Sequence, residues 1–317
     1  MLASVIGNAV VCRAILSLPS RQLPFSYYLV TNLAAAEIIS SFCFPFYFVY
    51  DWLDHWPFGD IGCKLVFPIH MTAMLVVTYT LAFIAAHRYR VIVTYRSHLA
   101  PLPRAKVMLV LGLLWGAALM IVLPVGVMHR DIRLTSGYHI CIALLPGDTL
   151  TDAPRHTSYS IVRFIVSYVI PNLVILMSYS AVALKLKHHM AATNISSEST
   201  RQASSQDCAA VSPPVQATLP TKRTRNSQDG SSVTDLELDI LRMIYVIILI
   251  FVVCYIPTQV VFIYEQIKAG LSDWPYYVIV RRYSFLLHCL PGAFHPILYG
   301  TMSKFYANAF AKLVLCK

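Results

Sequence analysis

Glu37 is the side chain in this sequence with the most chemistry to account for. It is a carboxylate in the middle of an apolar run, Ser26 to Tyr50, where an ionisable group must find a partner or give up its charge. Reaction chemistry leaves other marks, and they are missing: the chain has no HExxH, GxSxG or CxxC set, hence none of the zinc, activated-serine or dithiol sites those motifs build. His70, His129, His139 and His156 invite a zinc or proton sensor, but their spacing matches no ligand motif and scattered histidines account for them. The expectation is a protein that is not an enzyme and carries no cofactor.

The elements that would hold Glu37 are long apolar helices. Of 317 residues 57% are hydrophobic and 13% charged, about half the charge of a soluble domain. Six runs can cross a hydrocarbon core of about 30 Å as helices: Ser26 to Tyr50, Lys64 to Ala86, Lys106 to Met128, Ile161 to Leu184, Ile240 to Tyr264 and Tyr276 to Gly300. Helices are required because each backbone group must be satisfied within its own segment. Met1 to Leu16 is a seventh apolar run, with neither a basic leader nor a cleavage site. It reaches only about 24 Å, so it reads as a helix lacking its outer half, in a chain expected to be incomplete at that end. The fold class is thus an all-α membrane protein, a single seven-helix bundle over 1–317.

Charge sets the orientation. Threaded with its N-terminus outside, the chain puts seventeen of its 25 basic residues on one side, net +11, against 0 on the other. By the positive-inside rule the basic side is cytoplasmic, so the C-terminus lies inside. This, facing anionic lipid, explains a pI of 9.2 without nucleic acid. Cys12, Cys43, Cys254 and Cys289 lie in spans, Cys208 and Cys316 are cytoplasmic, and Cys63 and Cys141 alone lie outside. An oxidising exterior favours a disulfide between that pair, two free thiols being the alternative.

Residues 190–236 turn to Ser, Thr, Gln, Pro and Asp, a composition too polar to offset chain entropy, and read as a disordered third cytoplasmic loop. Fifteen of the 47 are Ser or Thr, beside Lys222-Arg223-Thr224-Arg225, which suits phosphorylation. The sequon Asn194-Ile195-Ser196 is on the wrong side for glycosylation. Residues 303–317 read as an amphipathic tail helix with Phe305, Phe310 and Leu313 on one face, and Cys316 as a palmitoylation site.

Landmarks in each span agree in order and spacing: Gly7-Asn8 with Val11; Asn32-Leu33-Ala34 and Glu37; Trp56-Pro57-Phe58-Gly59 before Cys63; Arg88-Tyr89; Trp115 and Pro124; Pro171 and Tyr179; Phe251 and Cys254-Tyr255-Ile256-Pro257; His295-Pro296-Ile297-Leu298-Tyr299, then Phe305. Together they resemble the rhodopsin-like class of G-protein-coupled receptors, of the peptide-receptor type, over the whole chain. The resemblance implies a plasma-membrane receptor that passes an extracellular signal to a heterotrimeric G protein, with receptor kinases and arrestin as further partners. It implies an activation switch of His87, Arg88, Tyr89, Tyr179, Glu237, Phe251, Tyr255, Pro257, His295, Pro296 and Tyr299, in which Arg88 pairs with Glu237 at rest. The prolines remove backbone hydrogen bonds and supply bends at which spans can swing. It also implies a polar core of Asn8, Glu37 and His295.

The sequence departs from the pattern at several of these positions. His87 stands where the family has an acid, and a neutral imidazole holds Arg88 weakly, which implies raised ligand-free signalling unless Glu237 suffices. Val77 and His295 replace oxygen-bearing companions in the family's sodium site, which weakens the case for sodium and leaves as an alternative a Glu37 to His295 hydrogen bond whose proton state depends on pH. Tyr255 replaces tryptophan and keeps an aromatic plate over Phe251. Tyr95 replaces proline in the second inner loop.

By the same resemblance Tyr47, His70, Met74, Arg163, Tyr255, Gln259, Phe262, Arg281 and Phe285 face a ligand cavity. His70 stands where amine receptors carry an aspartate, and Cys289 where opsins carry their lysine, so neither an amine nor retinal is expected. Arg163 and Arg281 suit a carboxylate, with interfacial snorkelling as the alternative. Residues 133–145 around Cys141 suit a hairpin lid. The leading expectation is a neuropeptide ligand, the next a non-amine small molecule. A transporter is the weaker alternative, because the chain shows no internal repeat.

Overall fold

Each long apolar run folds as a helix because a low-dielectric surrounding leaves backbone groups no partner but their own chain. The computed structural model describes residues 1–17, 25–94, 103–135, 137–144, 154–185, 187–188, 228–267 and 274–314. Helices α1 (Leu2–Leu16), α2 (Phe25–Leu53), α3 (Gly59–Val93) and α4 (Arg104–Met128) come first. A hairpin of β1 (His129–Arg133) and β2 (His139–Ala143) follows, then α5 (Pro154–Phe164), α6 (Gln228–Ile267), α7 (Tyr277–Cys289), α8 (Pro291–Met302) and α9 (Lys304–Val314). Helix α5 runs on through a π-helical turn, Ile165–Val169, to residue 185. That turn lies where it must, since Pro171 has no N–H to continue the regular ladder, and the amide of Ile170 reaches back to the carbonyl of Ile165.

Five of these stretches are long and apolar enough to cross a membrane, namely α2, α3, α4, Ser158–Lys185 and Arg242–Glu265 within α6. The expected span Tyr276 to Gly300 differs from a single helix: it is α7 and α8, joined at Leu290. Pro291 cannot donate, so the Leu290 amide tightens onto the Leu287 carbonyl at 3.1 Å. Leu290 itself stays helical, with φ −68° and ψ −40°, so the chain continues without a turn.

Helix α1 packs on α2 and α8, α2 on α3, α3 on α4 and the hairpin, and α6 on α7 and α8. α9 folds back against α8 and α1, the tail helix expected at 303–317, with the ring of Phe305 edge-on to Tyr27 at 5.4 Å. Helix α1 approaches α8 closely at Gly7, where a β-carbon would stand 2.5 Å from that of Pro296. The main core gathers Val11, Leu29, Leu33, Val76, Leu81, Ile244 and Phe251, and a second cluster of Cys43, Trp56, Cys63, Val66 and Cys141 sits beneath the hairpin.

Two sequence expectations need correction. The hairpin begins at His129 and ends at Ala143, earlier than 133–145, because strand pairing starts directly where α4 ends. Residues 228–236, assigned by composition to a disordered loop, form the first turns of α6, so local polarity gives way to the pull of the apolar helix behind it. Tyr95, the sequon at Asn194, Lys222 to Arg225, Cys208 and Cys316 lie outside the described residues.

Candidate functional site

The outer end of the bundle is held by covalent and polar ties. Cys63, in the first turns of α3, forms a disulfide with Cys141 of β2, Cα atoms 5.6 Å apart. Gly59 supplies the positive φ of 65° that starts α3, and its carbonyl accepts the Trp56 indole N–H at 2.8 Å. The Trp56 amide donates to His139 of β2 at 2.7 Å, and the Asp131 amide of β1 to Asp60 at 3.2 Å. The hairpin is thus seated on α3. His129, at its root, stacks on Phe67 with ring centroids 4.9 Å apart, and burial holds its imidazole below the usual histidine range.

Next to the hairpin, whose His129 stacks on the lining residue Phe67, lie two adjoining cavities of about 240 and 290 Å³, sharing Tyr47, Phe67, Thr258, Phe262 and Phe285. All nine expected ligand-facing residues line one or both. Tyr47, His70, Met74, Arg163, Tyr255, Gln259, Phe262 and Phe285 border the inner cavity, while Arg281 borders only the outer. The two arginines therefore have different surroundings. Arg281 lies 3.6 Å from Glu265, whereas Arg163 has its guanidinium over the face of Phe262 at 5.0 Å and an N–H 3.5 Å from the sulfur of Met71. Sequence reasoning missed His288, Phe67 and Glu265. His288 follows Phe285 by three residues and Phe67 precedes His70 by three, so one helical turn on the same face would have found both.

From the cavity floor a chain of rings leads inward. Phe285 stacks near His288 at 6.1 Å, His288 lies 4.4 Å from Tyr255, and Tyr255 stacks on Phe251 at 4.9 Å with planes 21° apart. His70 stands 5.6 Å from His288 and shares a hydrogen bond with Ser40 at 3.1 Å.

Deeper, the polar residues pair off. Glu37 and His295 are both buried and hydrogen-bonded through Oε1 and Nδ1. A hole of only about 10 Å³ adjoins them, lined in part by Val77. Asn8 does not reach Glu37. Its amide N–H₂ donates to the Gly292 carbonyl at 3.0 Å, the acceptor that Pro296, four residues on, cannot serve. Asn32 donates to Thr80 at 2.8 Å and accepts the Trp115 indole N–H at 2.9 Å, tying α2, α3 and α4.

At the basic end, Arg88 is 8% exposed and donates to Ser26 at 3.3 Å. Tyr299 is fully buried, 5.3 Å from Tyr306, and Tyr179 lies 6.0 Å from Tyr245. His87 packs on Phe25 at 5.2 Å. Tyr89, expected in the switch, instead is 37% exposed, since it is one residue round the helix from Arg88. Pro257 sits within the unbroken α6. The side chain of Glu237 lies outside the described residues.

A disulfide-tied hairpin, a cavity beside it, a ring relay and a buried polar core within a seven-helix bundle define a membrane receptor. The chain matches the 7 transmembrane receptor family (rhodopsin family) over residues 7–299, and it belongs to that family. It is a multi-pass plasma-membrane protein and a signalling receptor, not an enzyme. It is similar to the neuropeptide Y receptor type 2 of Homo sapiens, 24% identical over 324 residues that cover 100% of this chain and 74% of the relative. The Bos taurus receptor of that name is 23% identical over 322 residues, again 100% of this chain and 74% of the relative. That of Gallus gallus is 28% identical over 195 residues, 60% of this chain and 49% of the relative.

Proposed function

We propose that this chain is a receptor for an extracellular neuropeptide, which it takes into the paired cavities and reports to a heterotrimeric G protein at the basic end. The observation that carries the reading is the continuity between the two: a cavity beside the hairpin, and from its floor the stack Phe285, His288, Tyr255 and Phe251 running inward. The relatives named for neuropeptide Y support a peptide over a small molecule. In this reading the N-terminus is extracellular and the basic end cytoplasmic, as charge requires. Ligand contact at Tyr255 shifts the population towards a form in which Arg88, Tyr179 and Tyr299 are rearranged for the G protein. His87 beside Arg88, in place of an acid, raises ligand-free signalling. Receptor kinases and arrestin act on the Ser- and Thr-rich 190–227 segment.

The test is nucleotide exchange on G proteins in cells displaying this chain, challenged with a neuropeptide library, with Arg88→Ala as control. A response lost in the control supports the reading. A surface-displayed chain that answers only non-peptide molecules replaces the ligand class, and one that moves labelled solute without G-protein activation replaces the mechanism.

A further inference from the structure

We propose that the inner cavity is a carboxylate site: the ligand enters with a free acid group leading, and Arg163 receives it. The inference rests on the receptor reading above and names the chemistry of the ligand's deep end.

Among the described residues no acid side chain borders the inner cavity, while Asp51, Asp54 and Glu265 all border the outer one. Those three acids already face cations. Arg282 lies 2.9 Å from Asp51 and 3.0 Å from Asp54, and Arg281 lies 3.6 Å from Glu265. Arg163 has no carboxylate within 4 Å among the described residues. Its guanidinium contacts a thioether and a ring face, neither of them an anion, so its fork of five donors stays available to one. Snorkelling does not explain the placement, because the side chain reaches across to Phe262 of α6 and lines the cavity. A carboxylate supplies two oxygens in the geometry of the guanidinium fork.

A second observation points the same way. His288 is 6% exposed, lines this cavity, and its Nδ1 has no hydrogen-bond partner among the described residues. A buried polar atom facing a cavity favours an occupant that can bond to it. Aromatic and aliphatic side chains such as Val122, Phe164 and Tyr168 line the wall. The fitting group is a free C-terminal carboxylate on an apolar residue, with the preceding peptide backbone in reach of the floor.

The experiment uses two libraries of short peptides of identical sequences ending in apolar residues, one with a free C-terminal carboxylate and one with a carboxamide. Both are applied to cells displaying the full chain, Arg163→Gln and Arg163→Lys at matched surface level. The expected result is activation by the acids, about 10- to 100-fold weaker potency on Arg163→Gln with much of it regained on Arg163→Lys, and amides weaker by a similar factor on the unaltered chain. Equal potency of acids and amides overturns the inference while leaving the peptide reading intact, as does an unchanged response of Arg163→Gln. Should Arg163→Gln fail to reach the surface, the acid-to-amide ratio on the unaltered chain decides. If neither library activates, the peptide reading falls by itself, and the same cells are given arylalkyl carboxylic acids and their primary amides. An acid-selective response then upholds the site, and silence overturns it.

Discussion

The two ends of this bundle treat polar groups in opposite ways. In the inner half polar side chains tie one helix to another: Glu37 bonds to His295, Asn32 to Thr80 and Trp115, and Asn8 to the Gly292 carbonyl. The hole beside Glu37 is about 10 Å³, room for about one water. In the outer half cavities of about 240 and 290 Å³ stand open, and the deeper one is bordered by an arginine with no acid and a histidine whose Nδ1 has no hydrogen-bond partner among the described residues. The inner half is knitted across its helices and leaves almost no space, although Glu37 Oε2, His295 Nε2 and the Tyr299 hydroxyl find no hydrogen-bond partner among the described residues. The outer half is left for something else to complete.

The largest effect should come from breaking the inner pairing. Glu37→Leu leaves His295, with no exposed surface, without its partner, and removing one member of such a buried pair costs about 3–5 kcal/mol. Thermal unfolding in detergent reads this directly. The double variant Glu37→Leu/His295→Leu should recover more than half of the loss, because two apolar groups of similar size need no partner. The same site should be blind to sodium, since Val77 offers no oxygen and the hole is too small for a hydrated ion. A sodium titration that lowers agonist affinity severalfold would contradict the closed inner half.

The next effect belongs to the outer half. Cys141→Ser removes a bond between residues 78 apart in sequence, worth about 2–4 kcal/mol in loop-closure terms. Ligand activation should be lost while ligand-free signalling persists, because the hairpin rests on α3 and does not touch the inner network. Equal loss of both would show that the two halves are not separable. Dithiothreitol on the unaltered chain should reproduce the variant.

What could be read from sequence divides along the same line. The inner half was legible because its partners are short-range consequences of the bilayer: a carboxylate at mid-depth must be paired, and His295 was the nearest candidate by motif position. The disulfide followed from depth alone, as Cys63 and Cys141 are the only pair outside. The break between α7 and α8 was not legible, because Pro257, Pro291 and Pro296 look alike in a string. In the structure the helix is interrupted at Pro291, where the Leu290 amide goes to Leu287, and not at Pro296, whose freed acceptor Gly292 is served by Asn8 from another span. The different fates of Arg163 and Arg281 were equally hidden, since Glu265 lies on α6 and approaches Arg281 only in the folded bundle. The first turns of α6 were read as loop because their composition is polar, and only the continuous helix reveals otherwise.

Asn8→Leu tests that reading of the prolines. It strips the Gly292 carbonyl of its side-chain donor in a buried setting, with an expected cost of about 1–3 kcal/mol. Hydrogen exchange should speed up around 292–296 and nowhere in α2 to α4. A loss spread evenly over the bundle would mean that Asn8 serves packing between α1 and α8 and not the proline turn.

The smallest effect sharpens the comparison at the rim. Arg282 has both Asp51 and Asp54 as partners, yet its side chain is 41% exposed, and ion pairs in such surroundings contribute about 0–1 kcal/mol. Arg282→Gln should therefore leave the unfolding temperature within about 2 °C and lose even that difference in high salt, where exposed charges are screened. Its effect should appear in the rate of ligand association instead, because the substitution leaves Asp51 and Asp54 uncompensated at the entrance, two negative charges across the path of an acid-led ligand. A slower on-rate for carboxylate peptides with unchanged stability separates steering at the mouth from capture at Arg163. A fall in stability beyond 1 kcal/mol would instead place the rim among the parts that hold the bundle together.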